Sequence, residues 1–387
     1  MKHISLKFSA LLVPFYAMWA IGPGFLVVAL EQKGIAANET AIFTCIVSLT
    51  AALVQPLMGY LCDKTGKAKT IMSVSCIASV FAYLWLCFIS SKIQLALCCV
   101  LIGTTIYSMY GFGESWLSKL NCTELGVNFG AVRSLGSLSY AITAAVYGQL
   151  FDIFGSISLP ITMAAVCVIL VPVAMICPNP QIGEKQQNDG QFAVTFKKLM
   201  QNNRFVLVVV CYTLAVLPSG ASNIYYALHI RQLGGDAGDV GLALLVLAGT
   251  EALAMSFYKK LESKFGTEKL LFFAFFMYGI KALCIGFSTT VPTAIMAAAT
   301  QGLCFSFSLP GVQSYVDKIC PREYSATAQM VSNTGGQIVS QVLGLVVAGV
   351  LTTFISVGAT LAITSVFAFV ASAIFLAGIR KLNKKEA

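Results

Sequence analysis

Four ionisable side chains, Glu114, Arg133, Glu251 and Lys281, stand inside long apolar runs of the chain. A charge held away from water is costly, so such a residue pairs with another, faces a polar cavity or meets a transported solute or proton. One acid and one base lie in each half of the chain, so they can neutralise one another around a central polar space. Structural ion pairs that lock helices together are the alternative; the even division favours a central site. Arg133 is followed seven residues later by Tyr140, two helical turns on and on the same face. A guanidinium that grips hydroxyls or a carboxylate bidentately, with a ring beside it for stacking, suits a small polar solute. A tyrosine in such a place is more commonly packing or interfacial. Glu251 is the candidate for proton coupling, because burial and the Lys281 ammonium pull its proton affinity in opposite directions. Glu114 paired with Arg133 is the competing proton site.

These residues need elements that can carry them. Of the 387 residues, 57% are hydrophobic and 11% charged, and the mean hydropathy is +0.81. A water-soluble domain carries roughly 25% charged residues, so the composition is that of a polytopic membrane protein. Apolar runs of the length a bilayer demands cover about 8–30, 41–62, 70–90, 93–118, 127–150 and 157–177, and then 205–229, 239–258, 270–288, 291–316, 324–353 and 357–379. Between them lies the longest polar stretch, with Pro180, Gly183, Glu184, Lys185 and Asp189. The expected fold is an all-α membrane protein of twelve transmembrane helices in two six-helix repeats: residues 1–177, a cytoplasmic connector over 178–204, and 205–387. Within the first span, Gly22-Pro23-Gly24 should disturb helical regularity, as a harmless kink or as a substrate-facing bend, which membranes tolerate where protein or a cavity meets the freed backbone.

Lys and Arg concentrate in cytoplasmic loops. With the N-terminus inside, the outer loops hold Lys33, Lys92 and Arg231, two bases lie within spans, and the other 20 of 25 fall on the inner side. Both termini are therefore expected in the cytoplasm, in a multi-pass protein of the cell (inner) membrane. The net charge of +9 is directed at anionic lipid rather than at nucleic acid. Most of the 13 cysteines lie in apolar runs, where they act as small buried hydrophobes, and the two histidines, His3 and His229, do not make a metal centre. No HExxH, GxSxG or P-loop motif is present, so neither enzyme chemistry nor a cofactor is expected.

The first dense block of charge is Gly59-Tyr-Leu-Cys-Asp63-Lys64-Thr-Gly66-Lys67-Ala-Lys69, between spans two and three. A degenerate copy recurs 200 residues on, between spans eight and nine: Lys264, Gly266 and Lys269 repeat Lys64, Gly66 and Lys69, with Ser263 in place of Asp63. Two parallel repeats require this. Gly59, one turn before Asp63, is expected to let a neighbouring helix approach closely.

The loop resembles the signature loop of the major facilitator superfamily. The stretch from Val47 through Gln55-Pro56 to Asp63-Lys64, together with Gly113-Glu114-Ser-Trp116, Asn128-Phe129-Gly130 before Arg133, Gly136, and Thr250-Glu251, is similar to the oligosaccharide:proton symporters, the family of lactose permease. That resemblance implies a sugar held by Glu114 and Arg133, with Tyr140 where the family has a stacking tryptophan. It also implies that the Asp63 loop latches neighbouring helices in the outward-open state, mainly in the N-terminal half, since the second copy lacks the acid. Lys281 stands where the family has an arginine. By spacing from Lys281, the family's span-ten histidine and proton-carrying glutamate fall at about Gln301 and Cys304, which cannot do that work, and span seven offers Asn223, Tyr225 and Tyr226 in place of aspartates. The expected function is secondary transport of a small polar solute, a sugar or oligosaccharide with protons, by a monomer in contact with membrane lipids. Glu114, Arg133, Tyr140, Glu251, Lys281, Gln301 and Asn223 would line its path. A permease or exporter for a nucleoside, an organic anion or a drug is the alternative, followed by a channel or a non-transporting receptor.

Overall fold

The structure is a computed structural model that describes residues 2–110, 112–113, 116, 129–179, 189–321 and 325–386. Among the described residues the regular structure is helical: α1 (Lys2–Gln32), α2 (Ala37–Thr65), α3 (Ala68–Phe88), α4 (Lys92–Thr104), α5 (Phe129–Phe154), α6 (Ser158–Ile176), α7 (Asp189–Gln201), α8 (Asn203–Gln232), α9 (Ala237–Phe265), α10 (Thr267–Gly286), α11 (Val291–Ala298), α12 (Gln301–Ile319), α13 (Ser325–Asn333), α14 (Ser340–Leu351) and α15 (Val357–Glu386). Among the described residues eleven stretches are long and apolar enough to cross a membrane. The longest, Leu135–Ile176, is two helices joined by the 3-10 turn Gly155–Ile157, so twelve spans result. Large apolar side chains such as Leu53, Val168, Leu253 and Met296 remain exposed on these helices, where water would be unfavourable and lipid is not.

Three local departures from the expected spans have physical reasons. The first helix runs unbroken through Gly22-Pro23-Gly24. Only the Pro23 N–H is lost there, and the Tyr107 hydroxyl donates to the Pro23 carbonyl at 3.4 Å. Span ten is instead the divided one: α11 ends at Ala298 and α12 begins at Gln301. Span eleven carries a π-helical turn, Thr334–Val339, between α13 and α14. A β-carbon on Gly336, inside that turn, would meet the Tyr212 ring, so the wider turn accommodates a ring pressed onto the backbone. The polar connector also contains a helix, α7, which buries Thr195 and Leu199 and exposes Val194 and Phe196.

The chain divides into two compact units, Met1–Glu184 with Gly235–Ala248, and Lys185–Gly234 with Gly249–Ala387. In the first, α1 packs on α5 and α6, α2 on α4, and α3 on α6. Its core is aromatic, with Phe25 5.0 Å from Tyr147 and 5.8 Å from Phe151 between ring centroids. The start of α9 belongs to this unit: the Asp152 carboxylate accepts from the backbone N–H groups of Ala237 at 2.9 Å and Gly238 at 2.7 Å, capping the α9 N-terminus. In the second unit α8 packs on α14 and α15, and α10 on α12 and α15, around Tyr212, Phe275 and Phe375.

The two-hundred-residue repeat reaches well beyond the charged loop. Gly34 and Gly234 both have positive φ, 75° and 89°, as do Gly66 and Gly266, 64° and 82°. At slightly different spacings, about 200 residues apart, Gly103 on α4 meets the Val47 carbonyl of α2 and Gly302 on α12 meets the Thr250 carbonyl of α9; a β-carbon at either would stand 2.5 Å from the oxygen. At Gly59, by contrast, a β-carbon would find nothing within 4 Å among the described residues. The close helix approach expected there is made at Gly103 instead, because the small residue that matters lies on the face turned toward α2.

Candidate functional site

The second unit builds a buried polar chain across four helices. Lys281 of α10 is only 4% exposed, and an ammonium in that position must spend its donors on protein acceptors. Its Nζ donates to Gln301 Oε1 at 2.6 Å and to Ser219 Oγ on α8 at 3.2 Å. Gln301 Nε2 in turn donates to Glu251 Oε1 of α9, also at 2.6 Å. Lysine offers only donors and a carboxylate only acceptors, so the amide must present its oxygen to Lys281 and its nitrogen to Glu251. The backbone carbonyl of Glu251 accepts from Ser306 Oγ at 2.9 Å.

Local structure explains this placement. The division between α11 and α12 puts Gln301 in the first turn of α12, and Gly302 next to it lets α12 press onto the Thr250–Glu251 backbone of α9. Any larger residue at 302 would lift Gln301 away from Glu251. The chain holds opposite charges one neutral amide apart at the depth of an apolar bundle. An amide has no titrating proton, so a proton taken by Glu251 cannot pass along Gln301 to Lys281. Glu251 itself is half-buried.

The other expected site residues are distributed as follows. Glu114, and the side chains of Arg133 and Asp63, lie outside the described residues. Tyr140 is half-buried on α5, with its hydroxyl 3.8 Å from where a β-carbon on Gly24 would stand. Asn223 is exposed on α8. Its neighbours serve the fold: Tyr225 shares a hydrogen bond with Thr352 at 3.2 Å, and Tyr226 donates to the Ala294 carbonyl at 2.7 Å. Cys304 is fully buried and its thiol turns back on Gln301. His229 is buried against Ser288, and the described cysteines are free thiols. Among the described residues no group of three His, Cys, Asp or Glu could hold a metal.

In the charged loops, Gly66 is left-handed and its N–H returns to the Cys62 carbonyl at 2.8 Å, closing α2. Lys64 lies 5.9 Å from the Tyr60 ring centroid, and Lys67, exposed, precedes α3. Gly266 closes α9 in the same way, its N–H on the Glu262 carbonyl at 2.9 Å, with Lys264 5.3 Å from the Phe265 ring centroid. The second loop was expected to lack an acidic contact because Ser263 replaces the aspartate. Glu262, one residue earlier, supplies it: its Oε1 accepts from Ser314 Oγ, from Thr267 Oγ1 at 2.8 Å and from Lys318 Nζ at 3.1 Å. Glu262 thus gives the second loop an acidic contact one position before Ser263. A motif match in fixed register misses it, since Glu262 is the single acid among Lys259, Lys260 and Lys264. Ser219 and Ser306 carried no signal, since serines in apolar helices are common.

Residues 3–378 match the family described as MFS_1 like. The chain is 26% identical over 321 residues to a maltose permease of Geobacillus stearothermophilus, covering 81% of this chain and 79% of the permease. It is 21% identical over 344 residues to the raffinose permease of Escherichia coli, covering 82% and 78%. A mutant form of the nucleoside transporter NupG has the same fold, with a TM-score of 0.80 at 14% identity, 97% of this chain and 99% of the other being covered. The match spans both charged loops and all four helices of the Lys281–Gln301–Glu251 chain, and it places this protein in the MFS_1-like family, as a multi-pass membrane transporter of permease type and not an enzyme.

Proposed function

We propose that this protein is a secondary active transporter that carries a sugar or oligosaccharide together with protons by alternating access. The six-helix halves, residues 1–177 and 205–387, rock about a central site, with the connector over 178–204 on the cytoplasmic side. The observation that carries this reading is the buried Lys281–Gln301–Glu251 chain. Opposite charges spaced by a neutral amide offer a polyol both donors and acceptors without leaving a buried charge unpaired. Glu114, Arg133 and Tyr140 form the facing contribution from the N-terminal half, with Asn223 on the path. The maltose and raffinose permeases among its relatives support the sugar class. Asp63, with Gly59, Lys64, Gly66 and Lys67, forms the gating loop, answered by Lys264 and Gly266 in the second half. The protein acts as a monomer in the cell (inner) membrane, both termini cytoplasmic, its inner loops on anionic lipid.

Glu251 is the proton carrier in this scheme. Reconstituted protein should accumulate a labelled sugar under an imposed proton gradient, and Glu251→Gln should lose that accumulation while sugar-for-sugar exchange continues. Full gradient-driven accumulation in Glu251→Gln would assign the proton elsewhere, to Glu114. Accumulation of nucleosides and not of sugars would replace the sugar reading with the nucleoside one.

A further inference from the structure

In the polar connector, α7 has an outer face that transport does not use. It joins the spanning helix α8 through one residue, Asn202. That residue is held firmly: its Oδ1 accepts from the backbone N–H groups of Arg204 at 3.0 Å and Phe205 at 3.2 Å, and its Nδ2 donates to the Ile319 carbonyl at the end of α12, at 3.2 Å. On the inner side Leu199 of α7 is 2% exposed and shares one core with Phe205 of α8 and Ala328 of α13. The helix is therefore docked on the second unit, and its place relative to α8 is fixed.

The height of this elbow follows from helix length. With 30 residues, α8 is about 45 Å long at 1.5 Å per residue, the thickness of a bilayer with both headgroup layers. Its first residues stand in a headgroup layer, and so does the last turn of α7. At that height Phe196 and Met200 point outward one turn apart on a single face, 40% and 36% exposed. A helix facing water carries polar residues there; the acyl boundary beneath the headgroups accepts apolar ones. Lys197, exposed, stands about 60° round the helix from Met200. Its stem can follow the apolar stripe while its ammonium reaches a phosphate. Lys198 and the exposed Val194 lie on the opposite side and do not belong to the stripe. Two apolar side chains fall far short of the roughly 20–30 residues that each side of a stable protein interface uses, so a second copy of the chain is not the partner.

We propose that α7 is a membrane-surface anchor: Phe196 and Met200 enter the acyl boundary of the inner leaflet, and Lys197 takes the phosphate of an anionic phospholipid. The choice of leaflet rests on the cytoplasmic placement of the connector proposed above; the contact with lipid does not. The test uses full-length protein with a trifluoromethyl-phenylalanine at position 196, in nanodiscs, read by fluorine NMR. A nitroxide borne on a lipid chain should broaden the signal more strongly than an aqueous nickel chelate. Stronger broadening by the chelate would put the face in water, and broadening by neither would put it against protein; both results overturn the anchor. Unlabelled protein should melt higher in phosphatidylglycerol than in phosphatidylcholine nanodiscs. Lys197→Glu should lose at least about half of that difference and Lys198→Glu should keep most of it. Equal losses in the two variants, or none in either, would overturn the recognition of anionic lipid. Labelling of Gln201→Cys above the wild-type level by an impermeant maleimide on intact cells would put the elbow on the outer face, overturning the leaflet assigned here together with the cytoplasmic topology.

Discussion

The two charged loops share a helix-ending glycine and differ in how the chain leaves it. Gly66 and Gly266 each end a helix with positive φ and return an N–H to the carbonyl four residues back. Their ψ values part, 11° at Gly66 and 154° at Gly266. In the second loop Glu262 ties the end of α9 to α12 through Ser314 and Lys318 and to the start of α10 through Thr267. What the duplication keeps is thus the positive-φ glycine and the hydrogen bond that it returns, which end a helix without any side chain, while the chain leaves the two glycines in different directions.

The same split between common frame and separate use holds at the paired glycines, and gives the largest expected effect. Gly103→Ala and Gly302→Ala each press a methyl to 2.5 Å of a carbonyl oxygen, and each should lose about 1–3 kcal/mol, read as a lower melting temperature in detergent. Gly302→Ala should also cut sugar accumulation by more than about tenfold per folded molecule, a misplacement effect, because Gln301 moves with it. Gly103→Ala, once corrected for folded protein, should keep its rate. Equal rates in the two variants would detach Gln301 from transport.

The acids come next. Glu262→Gln keeps the shape and loses the charge-assisted bond to Lys318, so it should lower stability by roughly 1 kcal/mol in a melting experiment. Asp63→Asn should slow turnover while substrate affinity stays within about twofold. A loss of binding at normal turnover in Asp63→Asn would remove the gating role.

The finest comparison lies in the glycines themselves. Asparagine tolerates the left-handed region but not the extended positive-φ region that Gly266 occupies. Gly66→Asn should therefore cost only a few tenths of a kcal/mol, and Gly266→Asn about 1–3 kcal/mol. Matching melting temperatures would mean the ψ difference between the loops has no energetic weight.

Much of this was legible in the residues. Gly66 and Gly266 could be found because a positive φ demands glycine, and Lys281 and Glu251 because a charge in an apolar run is conspicuous. Gln301 came into view only through its spacing from Lys281. Ser219 and Gly302 were not legible. Lys281 reaches Ser219 across 62 residues of chain and Gln301 reaches Glu251 across 50, and nothing local to either partner announces the other. Gly59 misled for the complementary reason: a small residue permits close approach without requiring it.

The sequence alone determined that the chain spans a membrane twelve times in two repeats joined by a polar connector, because hydrophobic length and spacing are properties of the chain itself. The tertiary structure alone decided which face of each helix looks inward: that α12 starts at Gln301 and presses on α9, that Glu262 reaches Ser314, Thr267 and Lys318, and that Gly103 rather than Gly59 meets a neighbouring helix among the described residues. Helix rotation and register are set by packing between residues far apart in the chain, and polar partners in an apolar bundle exist only once that packing is fixed.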